Sequence, residues 1–248
     1  MNKLARALST IRVWILNPPY TRVRQFGGFP VVTHPKPRLR VSRAKKNGVR
    51  ARGARWAVDD SGDALLVRLS HGPFPLRALA ASCKQEILFT KTWFVSGDAR
   101  DLYVLQALLN SSFGYCCLRE DINRSTLSAK QLIDLPFPGF DEYSFTYFVR
   151  AVKWARILDL QETGAAHLAM LEPLIESMIQ QALFYSSPSS PALCGEQSTI
   201  MKIWGSGLPE PSSNIDAYLQ WVATNREWII KEIAFTQRMP AFQWCAAR

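Results

Sequence analysis

The tetrapeptide Asn17-Pro18-Pro19-Tyr20 brings hydrogen-bond acceptors and a flat aromatic ring together within four residues. The preceding run RVWIL, residues 12–16, favours a buried strand, and that strand must end at the prolines because proline cannot donate to a strand ladder. In open α/β sheets, ligands bind just beyond the carboxyl ends of strands. The Asn17 side-chain oxygen and the Pro18 carbonyl are therefore hydrogen-bond acceptors at a position where a ligand is expected. Tyr20 adds an aromatic face at the same position.

The same tetrapeptide has a simpler interpretation. A strand followed by Asn-Pro-Pro is an ordinary stop-and-turn signal, and a match over four residues has low specificity. The residues alone leave both interpretations open.

Positive charge is concentrated at the N-terminal end of the chain. The 248 residues carry a net charge of +10, yet the first 58 contain 14 Lys or Arg and no Asp or Glu. Such segregation is typical of a phosphate-binding surface, because each neutralised phosphate releases condensed counterions. The alternative is a basic segment that only confers solubility. We expect double-stranded DNA as the partner, contacted by Lys36, Arg38, Arg40, Arg43, Lys45, Lys46, Arg50, Arg52 and Arg55.

Several other classes of protein are disfavoured by the composition. The sequence has no apolar run of about 18 residues and no signal-peptide pattern, so we expect a cytoplasmic protein without a membrane partner. Five cysteines form no C-x-x-C pair and lie near no histidine cluster, so no metal is expected. Asp59, Asp60 and Asp63 fit a turn better than a metal-dependent nuclease site.

Short strands are predicted in the first part of the chain. Leu39 to Ser42 is the best strand of the basic region, and residues 55–70 predict a hairpin with one strand on each side of Asp59-Asp60-Ser61-Gly62. The run LRALAAS at residues 76–82 indicates a short helix, and Glu86 to Val95 predicts another strand.

Helices are predicted in the remainder. Asp98 caps a helix whose leucines recur at helical spacing from Leu102 to Leu109, and a polar segment follows it. Further helices are expected over residues 143–158, 165–184 and 215–235, with a kink or break at Pro173 in the second of these. The aromatic residues of the last helix pack on their own domain or dock a partner subunit.

Residues 102–140 resemble the closing segment of the DNA target-recognition domain of N6-adenine methyltransferases and type IIG restriction enzymes. The resemblance rests on Leu108-Leu109-Asn110-Ser111-Ser112-Phe113, then Ser128, Leu132 and Leu135-Pro136-Phe137-Pro138. Together with the run before it, it covers residues 38–140. It implies that this element is mainly a scaffold for recognition loops. The best DNA-contact candidates in its polar segment are Arg119, Asn123, Arg124, Ser125 and Thr126. The alternative is that this segment is a solvated loop that contacts no DNA.

The resemblance also assigns chemistry to the tetrapeptide, since these enzymes carry Asn-Pro-Pro-Tyr at the base that they methylate. It implies that Asn17, Pro18, Pro19 and Tyr20 are catalytic. The family also needs a Gly-rich strand-to-helix turn for S-adenosylmethionine ahead of this motif, where the chain has only residues 1–16. Gly27-Gly28 is not followed by a βαβ pattern. We therefore expect S-adenosylmethionine only with a partner domain from a methyltransferase or restriction subunit.

These observations predict an α+β fold, with a mixed small sheet of the target-recognition type followed by a helical C-terminal region. Residues 1–35 are the remnant of a methyltransferase catalytic region, 36–140 the target-recognition domain, and 141–248 the helical region with a Ser/Pro linker near 186–191. The expected function is the DNA-binding specificity portion of a site-specific adenine-N6 DNA methyltransferase of a restriction-modification system. The alternative is a non-catalytic accessory protein that binds nucleic acid or another protein.

Replacing Lys45, Lys46, Arg50 and Arg52 with glutamine is expected to weaken duplex binding and to flatten its salt dependence. The log–log salt slope changes by about 0.9 for each phosphate contact that is lost. Fluorescence anisotropy over a range of salt concentrations measures both effects. A control that neutralises four cations after residue 141 should change the slope less. Unchanged binding of the first variant at low salt would remove the basic segment from DNA recognition.

Overall fold

The computed structural model describes residues 22–26, 29–33, 39–43, 56, 64–68, 78–80, 92–120, 128–184, 199–212 and 214–236. Within these ranges, six strands are followed along the chain by seven helices. The expected α+β class is confirmed at this level. The predicted strand at residues 12–16 and the Ser/Pro linker lie outside the described residues.

The strands form two sheets. Strands β1 (Arg22–Phe26) and β2 (Phe29–Thr33) pair with each other. The other four strands are β3 (Arg40–Arg43), β4 (Ala64–Arg68), β5 (Ala78–Ala80) and β6 (Thr92–Ser96), arranged in the order β3-β6-β4-β5. Each pairing among the described strands is antiparallel, so the expectation of a mixed sheet is wrong for this part of the chain.

The four-stranded sheet has one apolar face. Val41 on β3 and Leu65 on β4 are both in register with Val95 on β6, and all three side chains belong to the core or pack against it. Helix α1 (Ala99–Asn110) contacts β4 and β5. Since side chains alternate between the faces of a strand, the residues between these apolar positions lie on the opposite face.

The remaining helices form a bundle around one central member. They are α2 (Ser112–Glu120), α3 (Ala129–Asp134), α4 (Glu142–Leu160), α5 (Gly164–Phe184), α6 (Thr199–Gly205) and α7 (Asp216–Thr236). Helix α5 contacts α1, α2, α4, α6, α7 and strand β2. Its apolar positions Leu171, Leu174, Ile175, Met178 and Ile179 are buried. Helix α5 is therefore surrounded by neighbours over most of its length.

Helix starts agree with the sequence where capping residues mark them. The Asp98 carboxylate accepts a hydrogen bond from the Arg100 backbone N–H at 2.8 Å, which confirms the predicted cap of α1. Ser128 and Gln131 form a reciprocal capping box at α3. Helices α4, α5 and α7 match the predicted ranges within two residues at each end. Tyr218 and Trp221 on α7 are buried, so the last helix packs on its own chain.

One local prediction in the sheet region is wrong. The run LRALAAS contains strand β5 instead of a helix, because pairing of its backbone with β4 outweighs the strong helix propensity of Ala and Leu. The predicted hairpin over residues 55–70 supplies β4 as its second arm. Strand β4 pairs with β5 and with β6, and the predicted first arm lies outside the described residues except for Trp56. Trp56, within that predicted arm, lies in a bend.

Three features of the helices were not predicted from the sequence. The segment after Asn110, described from the sequence only as polar, begins as helix α2. Helix α5 runs through Pro173 without a break. The Pro173 carbonyl accepts a hydrogen bond from the Thr236 hydroxyl of α7 at 3.3 Å, so the neighbouring helix contributes a contact at this point. Helix α6 had no counterpart among the predicted elements.

A tight junction at Ser111 joins α1 to α2. The Ser111 hydroxyl donates to the Leu108 carbonyl at 2.6 Å and accepts from the Gly114 backbone N–H at 2.9 Å. One side chain therefore satisfies the last turn of one helix and the first turn of the next. A Cβ atom at Gly114 would lie 1.9 Å from the Leu108 oxygen, so this position admits no side chain without a backbone shift.

Gly114→Ala is expected to lower the free energy of unfolding by about 2–3 kcal/mol, because the clash is with backbone and not with a flexible side chain. Urea denaturation followed by circular dichroism measures this change. Gly205→Ala is the matched control, since no heavy atom lies within 4 Å of a Cβ atom at that helical glycine. Equal effects at both positions would contradict the proposed role of the junction.

Candidate nucleic-acid interface

The structure describes three of the residues predicted to contact DNA. Arg40 is exposed on β3, the Arg43 backbone pairs with Trp93, and Arg119 lies in α2. The other predicted positions, including the tetrapeptide Asn17, Pro18, Pro19 and Tyr20, lie outside the described residues. These further positions are Lys36, Arg38, Lys45, Lys46, Arg50, Arg52, Arg55, Asn123, Arg124, Ser125 and Thr126.

Trp56, which directly follows Arg55, is anchored by three hydrogen bonds to three helices. Its backbone N–H donates to the Asp159 carboxylate of α4 at 2.5 Å, and its indole Nε1–H donates to Glu172 Oε1 of α5 at 2.8 Å. Its carbonyl accepts from Gln106 Nε2 of α1 at 2.8 Å. The side chain is 1% exposed, so the indole also contributes its full apolar area to the core. The chain at residue 56 is therefore fixed to the bundle.

A second layer of contacts orients the residues that hold Trp56. The buried Gln106 accepts a hydrogen bond at Oε1 from Arg156 Nε, at 2.9 Å. The Arg156 guanidinium lies 4.2 Å from the centre of the Tyr103 ring, within the range of a cation–π contact. Because Gln106 uses its amide nitrogen and its oxygen in different bonds, its orientation is determined. Such satisfied buried networks favour one arrangement of the surrounding helices.

The bonds of Trp56 to three helices were not predicted from the sequence. The available signal was an isolated tryptophan inside a basic, Gly-containing segment, where a large indole is costly to leave in water. That signal predicts burial but not the partners, since Gln106, Asp159 and Glu172 lie 50 to 116 residues away in the chain.

Helix α2, which carries Arg119, is capped by a carboxylate from another helix. The buried Glu176 of α5 accepts from the Ser112 backbone N–H at 2.7 Å, the Ser112 hydroxyl at 2.5 Å and the Phe113 N–H at 3.4 Å. Gln180 Nε2 donates to the same carboxylate at 2.7 Å. Burial raises the pKa of Glu176, while these donors act in the opposite direction. The carboxylate occupies the position where free N–H groups and the helix dipole favour negative charge.

This cap determines where α2 begins and therefore where Arg119 lies. Arg119 is about two turns beyond Ser112 on the same helix. Because Ser111 and Glu176 hold the first turn from two sides, the direction of α2 relative to α5 is constrained. The structure thus connects one predicted DNA-contact position to the centre of the bundle.

A third polar network joins the C-terminal helices. Glu232 of α7 accepts from the hydroxyls of Ser177 on α5 and Thr199 on α6, and from Lys202 Nζ at 2.8 Å. The two hydroxyls lie 2.7 Å apart, and Gln181 bridges to Thr199 through both its amide nitrogen and its oxygen. Ser177, Thr199 and Glu232 are buried. A serine and a lysine thus contact one carboxylate in the interior, where their bonds hold three helices together.

The described residues contain no group of three His, Cys, Asp or Glu side chains placed to hold a metal ion. Among the described helices, none is long and apolar enough to cross a bilayer.

Comparisons with known proteins returned no family model, no curated protein and no solved structure that matches this chain. The resemblance to adenine methyltransferases therefore stays a prediction that rests on the quoted motifs.

Glu176→Ala is expected to lower the free energy of unfolding by about 3 kcal/mol, because it leaves the buried donors at the start of α2 without their acceptor. The measurement is urea denaturation at neutral pH. Glu227→Ala is the control, since Glu227 is exposed on α7 and pairs only with Lys231, a contact expected to contribute little. A loss no greater than that of the control would show that Glu176 does not hold α2.

Proposed function

We propose that this chain is the DNA-binding specificity portion of a site-specific adenine-N6 DNA methyltransferase of a restriction-modification system. One observation carries the proposal: the acid-free basic run of the first 58 residues reaches Trp56, which is bonded to three helices of a packed scaffold. A cationic segment that only conferred solubility would need no such attachment. A segment that binds phosphates in one register requires such an attachment, because its cations must keep fixed positions relative to the scaffold.

The described cations support the same function. Arg40 is exposed on β3, a strand that lies within the basic run. Arg119 lies on α2, whose first turn is held by Glu176. In the proposed complex, these arginines and the lysines of residues 36–55 contact the DNA backbone, and any arginine that reaches the major groove reads guanine O6 and N7.

Methyl transfer belongs to the proposed function through Asn17 to Tyr20. The Asn17 side chain and the Pro18 carbonyl would accept hydrogen bonds from the adenine N6 amino group, Tyr20 would stack on the extruded ring, and the prolines would keep the loop rigid.

The cofactor does not fit the described part of this chain. A site for S-adenosylmethionine requires a Gly-rich strand-to-helix turn. The described passage from β6 to α1 has one glycine, Gly97, and the Asp98 carboxylate already caps the helix. We therefore assign the cofactor to a partner domain and assign to this chain only the binding of DNA and of the target base.

A second candidate function is a non-catalytic accessory protein that binds another protein as well as nucleic acid. The observation in its favour is a pair of exposed aromatic residues, Tyr143 on α4 and Trp204 on α6, whose rings meet edge to face at 5.7 Å. Exposed aromatic residues are enriched in protein interfaces. A methyltransferase partner subunit and an unrelated protein would use such a surface in the same way.

The proposed function predicts that the isolated chain binds duplex DNA and does not bind S-adenosylmethionine. Anisotropy and isothermal calorimetry measure the two affinities. When the chain is purified with a partner from its native host, the complex should methylate adenine N6 in DNA, detected by mass spectrometry of nucleosides. Asn17→Ala should abolish methylation and leave duplex binding unchanged.

Each contrary result removes a different part of the proposal. Binding of S-adenosylmethionine by the isolated chain would show that no partner domain is needed. A complex that binds DNA but produces no N6-methyladenine would favour the accessory function. Failure to bind duplex DNA at low salt would overturn DNA recognition itself.

A further inference from the structure

The four-stranded sheet exposes a phenylalanine on the face opposite to the core. Phe94 lies on β6, which has β3 on one side and β4 on the other, so its position is interior to the sheet. Its side chain is nevertheless 37% exposed, while its neighbour in the sequence, Val95, is completely buried on the other face. An exposed aromatic ring at an interior strand of a sheet offers a flat apolar surface on which a planar ligand can stack.

The surroundings of Phe94 combine Leu66, directly opposite on β4, with positions that are mainly cationic or polar. Ser42 on β3 is in register with Phe94, and Arg40 on the same strand is in register with Ser96. Arg40 and Ser42 are both exposed. On β4, the backbone register places Ala64, Leu66 and Arg68 opposite Ser96, Phe94 and Thr92. None of these positions carries a carboxylate, so the described strands offer no acidic side chain in these three registers.

The charge around this face indicates its ligand. Strand β3 lies inside the acid-free run that supplies 14 of the 30 lysines and arginines of the chain. Phe94 lies between Leu66 and Ser42 in the backbone register, and two arginines on the same face, Arg40 and Arg68, give it the positive charge that a purely apolar protein-docking patch lacks. Single-stranded nucleic acid fits this combination, because bases stack on aromatic rings while nearby cations follow the phosphates.

We propose that the outer face of the four-stranded sheet binds an unpaired base of DNA, with the Phe94 ring stacked on the base and Arg40 at an adjacent phosphate. This inference rests on the proposed DNA-binding function and extends it from the duplex backbone to an opened strand. It also fits the chemistry of adenine-N6 methylation, which requires the target base to leave the helix and thereby unpairs the opposite nucleotide. Phe94 can stack on that orphaned base.

The probe is a DNA duplex that carries one unpaired 2-aminopurine, compared with the same duplex fully paired. The chain should bind the unpaired probe more tightly and change its fluorescence by stacking. Phe94→Leu keeps an apolar side chain but removes the aromatic face, so it should weaken binding to the unpaired probe at least about fivefold and leave the paired duplex unaffected. Phe94→Trp should retain both the preference and the fluorescence change.

Two control variants separate stacking from other effects. Phe235→Leu makes the same replacement at another exposed phenylalanine, on α7, and should behave like the unmodified chain. Arg40→Gln should weaken binding to both probes and reduce the salt slope by about 1, as expected for one lost phosphate contact. Thermal unfolding of each variant identifies a change in stability, and the Phe94→Trp variant keeps the test decisive if Phe94→Leu is less stable.

The outcomes distinguish this inference from the proposed function. If the chain binds the paired duplex but shows no preference for the unpaired base, and Phe94→Leu changes neither affinity, the stacking face is wrong and DNA binding stands. If Phe94→Leu retains the preference, an apolar contact that does not need an aromatic ring replaces the proposed stacking. If the chain binds neither probe at low salt, the proposed function itself is overturned.

Discussion

The buried carboxylate of Glu176 is the interaction on which most of this fold depends. It lies on the central helix α5 and accepts hydrogen bonds from the first residues of α2 and from Gln180. Helix α2 begins in the interior, where its N–H groups have no water to satisfy them, and a missing acceptor there costs about 1–3 kcal/mol for each group. The start of α2, the junction at Ser111 and the packing of α5 are therefore stabilised together.

Helix α5 carries two rows of polar side chains that form hydrogen bonds. One row recurs every four residues and consists of Glu172, which bonds to Trp56, Glu176, which bonds to α2, and Gln180, which bonds to Glu176. In the other row, Ser177 bonds to Glu232 and Gln181 bonds to Thr199. Apolar packing around a helix tolerates many rotations of its neighbours, but a buried carboxylate is satisfied only when its particular donors arrive. The polar rows therefore determine which elements pack beside α5. The leucines and isoleucines between them contribute the buried apolar surface.

The charge distribution divides the chain into a basic N-terminal part and a helical scaffold. Strands β1, β2 and β3 lie within the basic run, whereas the helices that follow contain most of the buried residues among those described. Trp56 is where the two parts are joined most firmly, through Gln106, Asp159 and Glu172. These three bonds fix the position of residue 56 relative to the helices.

Much of the secondary structure could be predicted locally, and much of the site could not. Helices α1, α4, α5 and α7 follow from leucine spacing and from caps such as Asp98, and β3 and β6 from their β-branched and aromatic residues. The short run around Ala78 was predicted as a helix because Ala and Leu have high helix propensity, and its pairing with β4 outweighed that propensity. The sequence also did not indicate that Phe94 would be exposed, since alternation along a strand does not tell which face the helices will cover.

The amino-acid sequence by itself determined the segregation of charge, the positions of the long helices and the residues able to cap them, because these depend on neighbours a few positions apart. Only the tertiary structure decided that Glu176 caps α2, that Trp56 is bonded to three helices and that β4 lies between β5 and β6. Those contacts join residues 64 and 116 positions apart in the cases of Ser112 with Glu176 and Trp56 with Glu172. Nothing in a local pattern specifies which distant donor will meet a given carboxylate, since that depends on how the whole bundle packs.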